Sequence, residues 1–191
     1  MTMPMHVHCA ASVERLGRHN RLCDSICNIA SQAGLDPRKE ERDILAGTQE
    51  RLGDIYLPGW CDGRDASLDI TVVTLIQANV TAKAAATNLY AAEEAHKRKL
   101  LRYYDNCKSA GVEFIPLALE SFGAWHPKAL NLIKLLSRQL ARQLGQEEGQ
   151  ITQHCLQKLG IVLQRGNVAH FTTRIPSYCD PTVNGDLDVD C

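Results

Sequence analysis

Two aspartates with fourteen residues between them are the groups in this chain best placed to do chemistry. Asp54 follows Arg51-Leu52-Gly53 and opens a short β-prone run. Asp69 lies inside Leu68-Asp69-Ile70-Thr71-Val72. A carboxylate in the middle of an apolar strand is expensive to bury unless something pairs with it. The residues alone leave three outcomes open for Asp69. It points outward from an alternating strand, it sits in a structural ion pair, or it joins Asp54 as a metal ligand. Magnesium fits the third outcome, because it needs only one or two carboxylates, completed by waters and a substrate phosphate.

A second cluster runs from Glu93 to Tyr104 and holds His96, Lys97, Arg98, Lys99, Arg102 and Tyr103. Lys99, Arg102 and Tyr103 are three and four residues apart and so share one helical face. Such a charge run is ordinarily a solvated face, and Glu94 stands four residues before Arg98, a spacing that stabilises a helix. The chemical reading is a lysine that neutralises a phosphate or orients a water, with basic neighbours on the DNA backbone. Arg98, Arg102 and Lys108 are candidate phosphate contacts, as are Lys128, Arg138 and Arg142 if their helix faces the same side.

His19, Cys23 and Cys27 repeat at steps of four on one helical face, with Cys9 upstream. Three ligands on one helix make a poor tetrahedron, and the usual short loop between ligands is missing. Zinc is therefore not expected, and these residues read as reduced core cysteines beside a capping histidine. None of the eight cysteines forms a Cys-x-x-Cys pair, so no zinc ribbon or thioredoxin-type site is signalled.

The elements that must position these groups follow from pattern. Residues 1–17 show no clear period and read as loose. A helix is expected over 18–34, with Leu22, Ile26, Ile29, Ala30 and Ala33 at helical spacing and Gly34 as its C-cap. A short strand is expected over 39–45, a second over 54–57 ended by Pro58-Gly59, and a third over 67–73. A single long helix covers 78–109, and a hydrophobic strand covers 112–119. Pro116 inside that strand implies an edge or a bulge. Pro127 starts a further helix, with Leu132, Leu136, Leu140 and Leu144 along one side. A last helix spans 148–165. Residues 177–191 form an acidic tail expected to be disordered.

Charge sharpens this picture. The net charge of −1 excludes a protein that holds nucleic acid by bulk positive charge. Asp180, Asp186, Asp188 and Asp190 lie in the tail, however, and without them the body carries +3. Aromatics are only 5% of the residues, so the core must be aliphatic. No apolar run approaches the length of a membrane span, and the first residues lack the features of a secretory signal. A nuclear or cytoplasmic protein, not a secreted one, is expected.

The pattern Arg-x-x-Asp, fourteen residues, Asp-Ile-Thr-Val, then a helix with Lys-x-x-Arg-Tyr resembles the restriction-like endonuclease domain of non-LTR retrotransposons. That domain is a branch of the PD-(D/E)xK nuclease superfamily. Its motif reads Arg-Pro-Asp, a spacer of this length, Asp, then Lys-x-x-Lys-Tyr. Further likeness lies in Arg18-His19-Asn20, in Gly53 through Trp60, in Ala66 through Val73, and in Val112 through Pro127. It runs over 18–176. The resemblance implies an α/β fold: a mixed sheet of about four strands flanked by helices, in the order helix-strand-strand-strand-helix-strand, plus two C-terminal helices.

The resemblance also implies a DNA endonuclease that nicks its target with one or two Mg²⁺, Mn²⁺ being an alternative. Asp54 and Asp69 would be catalytic metal ligands, with Glu40 as a further acid. Thr71 stands where the superfamily carries its usual lysine. Lys99, or else Lys97, would supply that amine from the helix, while Arg98, Arg102, Tyr103 and Lys108 would contact DNA. His6, His8 and Cys9 would be the end of a zinc knuckle. The chain would then be the C-terminal piece of a reverse transcriptase polyprotein that also handles element RNA. The alternative is a nuclease-fold domain without catalysis that serves only nucleic-acid binding or interaction. Glu120 is left open as a structural group, a cap, or a polar neighbour of the site.

Overall fold

The computed structural model describes residues 6–41, 51–76 and 78–172. Helix α1 (His6–Gln32) leads to β1 (Arg38–Lys39), β2 (Ile55–Cys61) and β3 (Arg64–Val73). Helices α2 (Ala78–Ala86) and α3 (Tyr90–Ser109) cross over to β4 (Val112–Glu120), and α4 (Pro127–Leu144) and α5 (Glu148–Thr172) close the chain. The fold is thus mixed α/β in the expected order. Its four-stranded sheet runs β1-β2-β3-β4, antiparallel between β1 and β2 and between β2 and β3, and parallel between β3 and β4.

Alternation along the strands divides the sheet into two faces. Ile55, Leu57, Ala66, Leu68, Ile70, Leu117 and Leu119 join the buried sides of α1, α4 and α5 in the main core. The opposite face carries Phe114 and Ala118, which pack under α3 in two smaller clusters with Cys107, Ala92 and Ala95. The result is a three-layer sandwich with α3 packed on the Asp69 side. Arg138 and Arg142 project from a helix on the other face, and Arg138 pairs with Glu148 at 2.9 Å. They therefore do not share the side of Asp69.

Several boundaries differ from expectation. Helix α1 starts at His6 rather than 18, so the segment read as loose is helical from there. Its end is as expected: Gly34 takes φ 83°, and Leu35 N–H donates back to the Ala30 carbonyl. Of the strand expected over 39–45, Lys39 lies in β1 (Arg38–Lys39) and residues 40–41 are not strand, while the rest, from 42, lies outside the described residues, as does the acidic tail. Pro58-Gly59 does not end β2. The strand continues to Cys61 across a register shift between Leu57 and Cys61, with Gly59 at φ 61° supplying the irregularity.

The long helix over 78–109 is broken. Leu89 adopts a left-handed φ of 60° between α2 and α3, which no Gly or Pro in the sequence announces. Helix α5 runs to Thr172 instead of 165. Pro116 does lie on an edge strand: β4 ends the sheet beside β3, and Leu119 near its end adds an isolated bridge to Trp125. Pro127 occupies the first turn of α4 behind His126, whose Nδ1 accepts the Lys128 N–H at 3.2 Å. Among the described residues no helix is long and apolar enough to cross a membrane.

Candidate active site

Strand β2 begins at Ile55, opposite Leu68, so β3 outlasts it by several residues. The Ile70 N–H takes its acceptor from a side chain: Asp54, just before β2, receives it on Oδ2 at 2.7 Å. The Asp54 backbone N–H meanwhile donates to the Leu68 carbonyl at 2.8 Å. Gly53 is what allows this approach. A Cβ at that position would stand 2.5 Å from Ser67 Oγ and 2.6 Å from the Leu68 carbonyl oxygen. The position where the resembling motif carries proline is therefore pressed against β3 here.

Asp69 lies on the α3 face of β3, and Lys99 reaches it from α3. The ammonium is 2.9 Å from both carboxylate oxygens, and Thr71 Oγ1 donates to Oδ2 at 3.2 Å. The residue in the usual lysine position thus bonds the acid, while the amine comes from the helix. Lys97 points elsewhere, pairing with Glu93 at 3.4 Å and Glu94 at 3.7 Å. Of the two candidate lysines, only Lys99 meets the aspartate.

From the other side, α1 brings His19. Its Nε2 is 3.3 Å from Asp54 Oδ1 and 3.5 Å from Cys23 Sγ. The site therefore draws on α1, the start of β2, β3 and α3. The Asp54 charge bears on the ionisation of Asp69, and Lys99 bears on both. Burial pushes the Asp54 carboxyl up, but His19, the Ile70 N–H and Lys99 overcome it and hold the group below its ordinary value. Burial also pushes Asp69 up, and there Lys99 and Thr71 do not fully offset it. His19 is raised, chiefly by its hydrogen bond to Asp54.

Other expected residues divide. Glu40 lines a cavity with His19, Cys23 and Asp54, but its carboxylate pairs with Arg51 at 2.8 Å, and it does not join the cluster of close ligand atoms that those three form. The motif's arginine thus holds the acid expected at the metal. Glu120 resolves as a cap: it is buried and accepts the Ala92 N–H in the first turn of α3. Tyr103 packs on Phe114 at 5.4 Å, so its ring belongs partly to the core, with Arg102 over it at 5.1 Å. Arg98 and Lys108 are exposed, and Lys108 lies over Tyr104.

Thr71, Val72 and Val73 continue from Asp69 into a cleft of about 980 Å³. Arg15 and Arg18 line it from α1, Lys83 from α2 and Arg98 from α3, with Glu94 the acid among them. Only Arg98 was legible as a nucleic-acid contact in the sequence. The others are separated along the chain, and the fold alone gathers them. His19 was legible as a helical neighbour of Cys23, but nothing local pointed to Asp54.

No protein-family model matches the chain, and no curated protein matches it.

Proposed function

We propose that this chain is a metal-dependent DNA endonuclease domain of the restriction-endonuclease-like kind carried by non-LTR retrotransposon proteins. The observation that carries the reading is that Lys99 from α3 binds Asp69 of β3, while Asp54 is held on the N–H of the next residue, Ile70, close enough for its charge to act on Asp69. Two coupled carboxylates at the end of a strand pair offer the oxygen donors that Mg²⁺ prefers. Asp54 and Asp69 would hold the ion. When bound, it supplies Lewis acidity that activates a water and stabilises charge on a phosphate.

The chain's own residues supply the rest. Lys99 keeps a cation beside Asp69 where negative charge must be stabilised. The Ile70 N–H fixes one oxygen of Asp54. The Arg15, Arg18, Lys83 and Arg98 side of the neighbouring cleft would take the DNA backbone, which binds through phosphate contacts.

Nicking of supercoiled plasmid in Mg²⁺ tests the reading. The chain should relax plasmid, and Asp69→Ala should abolish this by at least about 10²-fold. Activity that persists unchanged in Asp69→Ala sinks it. A second reading rests on the ion pairs themselves: His19 on Asp54 and Lys99 on Asp69 already compensate both acids. That favours a domain that binds nucleic acid without cutting it. It would give salt-dependent DNA binding and no nicking in any divalent ion.

A further inference from the structure

His19, Cys23 and Asp54 are the group of three among the described residues whose ligand atoms all lie within 4.8 Å of one another. Their spacing has a specific chemical meaning. Tetrahedral zinc binds imidazole nitrogen at about 2.0–2.1 Å, carboxylate oxygen at about 2.0–2.2 Å and thiolate sulfur at about 2.3 Å. At those lengths neighbouring nitrogen and oxygen ligands stand roughly 3.3 Å apart, and nitrogen and sulfur roughly 3.6 Å. The separations here are 3.3 Å for His19 Nε2 to Asp54 Oδ1 and 3.5 Å for His19 Nε2 to Cys23 Sγ. Two of the three edges between these ligands therefore already have tetrahedral lengths, and the third, from Cys23 to Asp54, lies within 4.8 Å.

We propose that His19 Nε2, Cys23 Sγ and the Asp54 carboxylate bind one zinc-class divalent ion, with the fourth position filled by water from the adjoining cavity. That cavity, of about 360 Å³, is bounded by Asn20, Lys39 and Glu40 besides the three ligands. The two charged neighbours are already engaged, Lys39 with Asp24 and Glu40 with Arg51. Three protein ligands plus a water is the open form of zinc coordination.

The donor set also selects the metal. A thiolate and an imidazole suit zinc or cobalt and do not suit magnesium. Asp54 can serve without leaving β3, because its Oδ2 stays on the Ile70 N–H while Oδ1 faces His19. Zinc-class ions bind the thiolate form of cysteine and displace its proton. The site differs from the three-on-one-helix arrangement that the sequence suggests, because Asp54 arrives from β2 in place of Cys27. It requires no nuclease activity.

Cobalt titration of the full chain under reducing conditions, without DNA or magnesium, tests this. Thiolate ligation produces a charge-transfer band in the near ultraviolet, and cobalt held only by carboxylates produces none. The expected result is a band saturating at one equivalent and displaced by Zn²⁺. Cys23→Ala and the part-exposed His19→Gln should lose it while far-ultraviolet circular dichroism shows both folded. Cys27→Ala and Cys61→Ala should keep it. No band in the unaltered chain, or a band retained in folded Cys23→Ala or folded His19→Gln, overturns the proposal. If one variant fails to fold, the other decides. Because no DNA is present, failure here leaves the nicking result untouched, and the converse also holds.

Discussion

The Asp54 end of the site and the Asp69 end solve the same problem differently. Both carboxylates leave water at the strand edge, yet Asp54 keeps 21% of its side chain exposed and Asp69 only 8%. Asp54 gathers three kinds of partner: a histidine from α1, a backbone N–H from β3 and the field of Lys99. Asp69 depends mainly on one ammonium, with a hydroxyl beside it. The better-partnered acid ionises more readily than usual and the more buried one less readily. Burial raises both groups; the partners outweigh it at Asp54 and do not at Asp69, which the Asp54 charge raises further. The pair thereby holds two acids of unlike basicity side by side, the sort of contrast that divides roles in catalytic sites.

The largest effect that can break this comparison lies at the Asp69 end. Lys99→Ala should lower plasmid nicking by about 10²–10³-fold, whereas Lys97→Ala, whose partners are exposed glutamates, should leave nicking unchanged and stability within about 0.5 kcal/mol. Equal losses in the two variants would remove Lys99 from its special position. At the Asp54 end, Gly53→Ala forces a methyl group against Ser67 and the Leu68 carbonyl. It should cost about 1–3 kcal/mol in urea unfolding, the range for overpacking. A neutral result would mean that Asp54 is not seated by that close approach.

A smaller effect carries a pH signature. His19 is raised in the folded protein by Asp54. Its contribution is therefore fully present below its unfolded pKa of about 6.5 and is lost as pH rises through the folded value. His19→Gln should cost about 1 kcal/mol at pH 6 and progressively less toward pH 9. A pH-independent difference would show that the pair is not charged.

The subtlest measurement is the order of titration. Carboxyl carbon NMR on the folded chain should place the Asp69 transition above the ordinary aspartate value of about 3.9 and the Asp54 transition below it. Through linkage, Asp54 then adds stability above that ordinary value, which is lost as pH falls through its lowered pKa. Asp69 carries a cost above its raised pKa that is relieved on protonation. The reverse order would invert the comparison.

Much of the fold was legible because its signals are local. The spacing of Leu22, Ile26 and Ile29, the C-cap at Gly34 and the Pro127 start each act within a few residues. The errors arose where tertiary contacts outweighed local preference. Leu89 takes a left-handed backbone, and β2 continues past Pro58 because its partner strand still offers hydrogen bonds. The site was legible as types but not as partners: Lys99 could be named, yet its choice over Lys97 depends on which face of α3 meets β3. Glu40, expected as a ligand from the resemblance, is the counter-ion of Arg51.

The sequence by itself determined the two acids, their spacing, the basic helix and the α/β order, because hydrophobic period and turn chemistry act over short stretches of chain. Only the tertiary structure decided that β3 outlasts β2 and so presents the Ile70 N–H to Asp54. It alone set Lys99 on Asp69, and brought Cys23 and His19 to Asp54 from 31 and 35 positions away along the chain. Those meetings depend on helix rotation and strand register, which packing of the whole core fixes and no local pattern encodes.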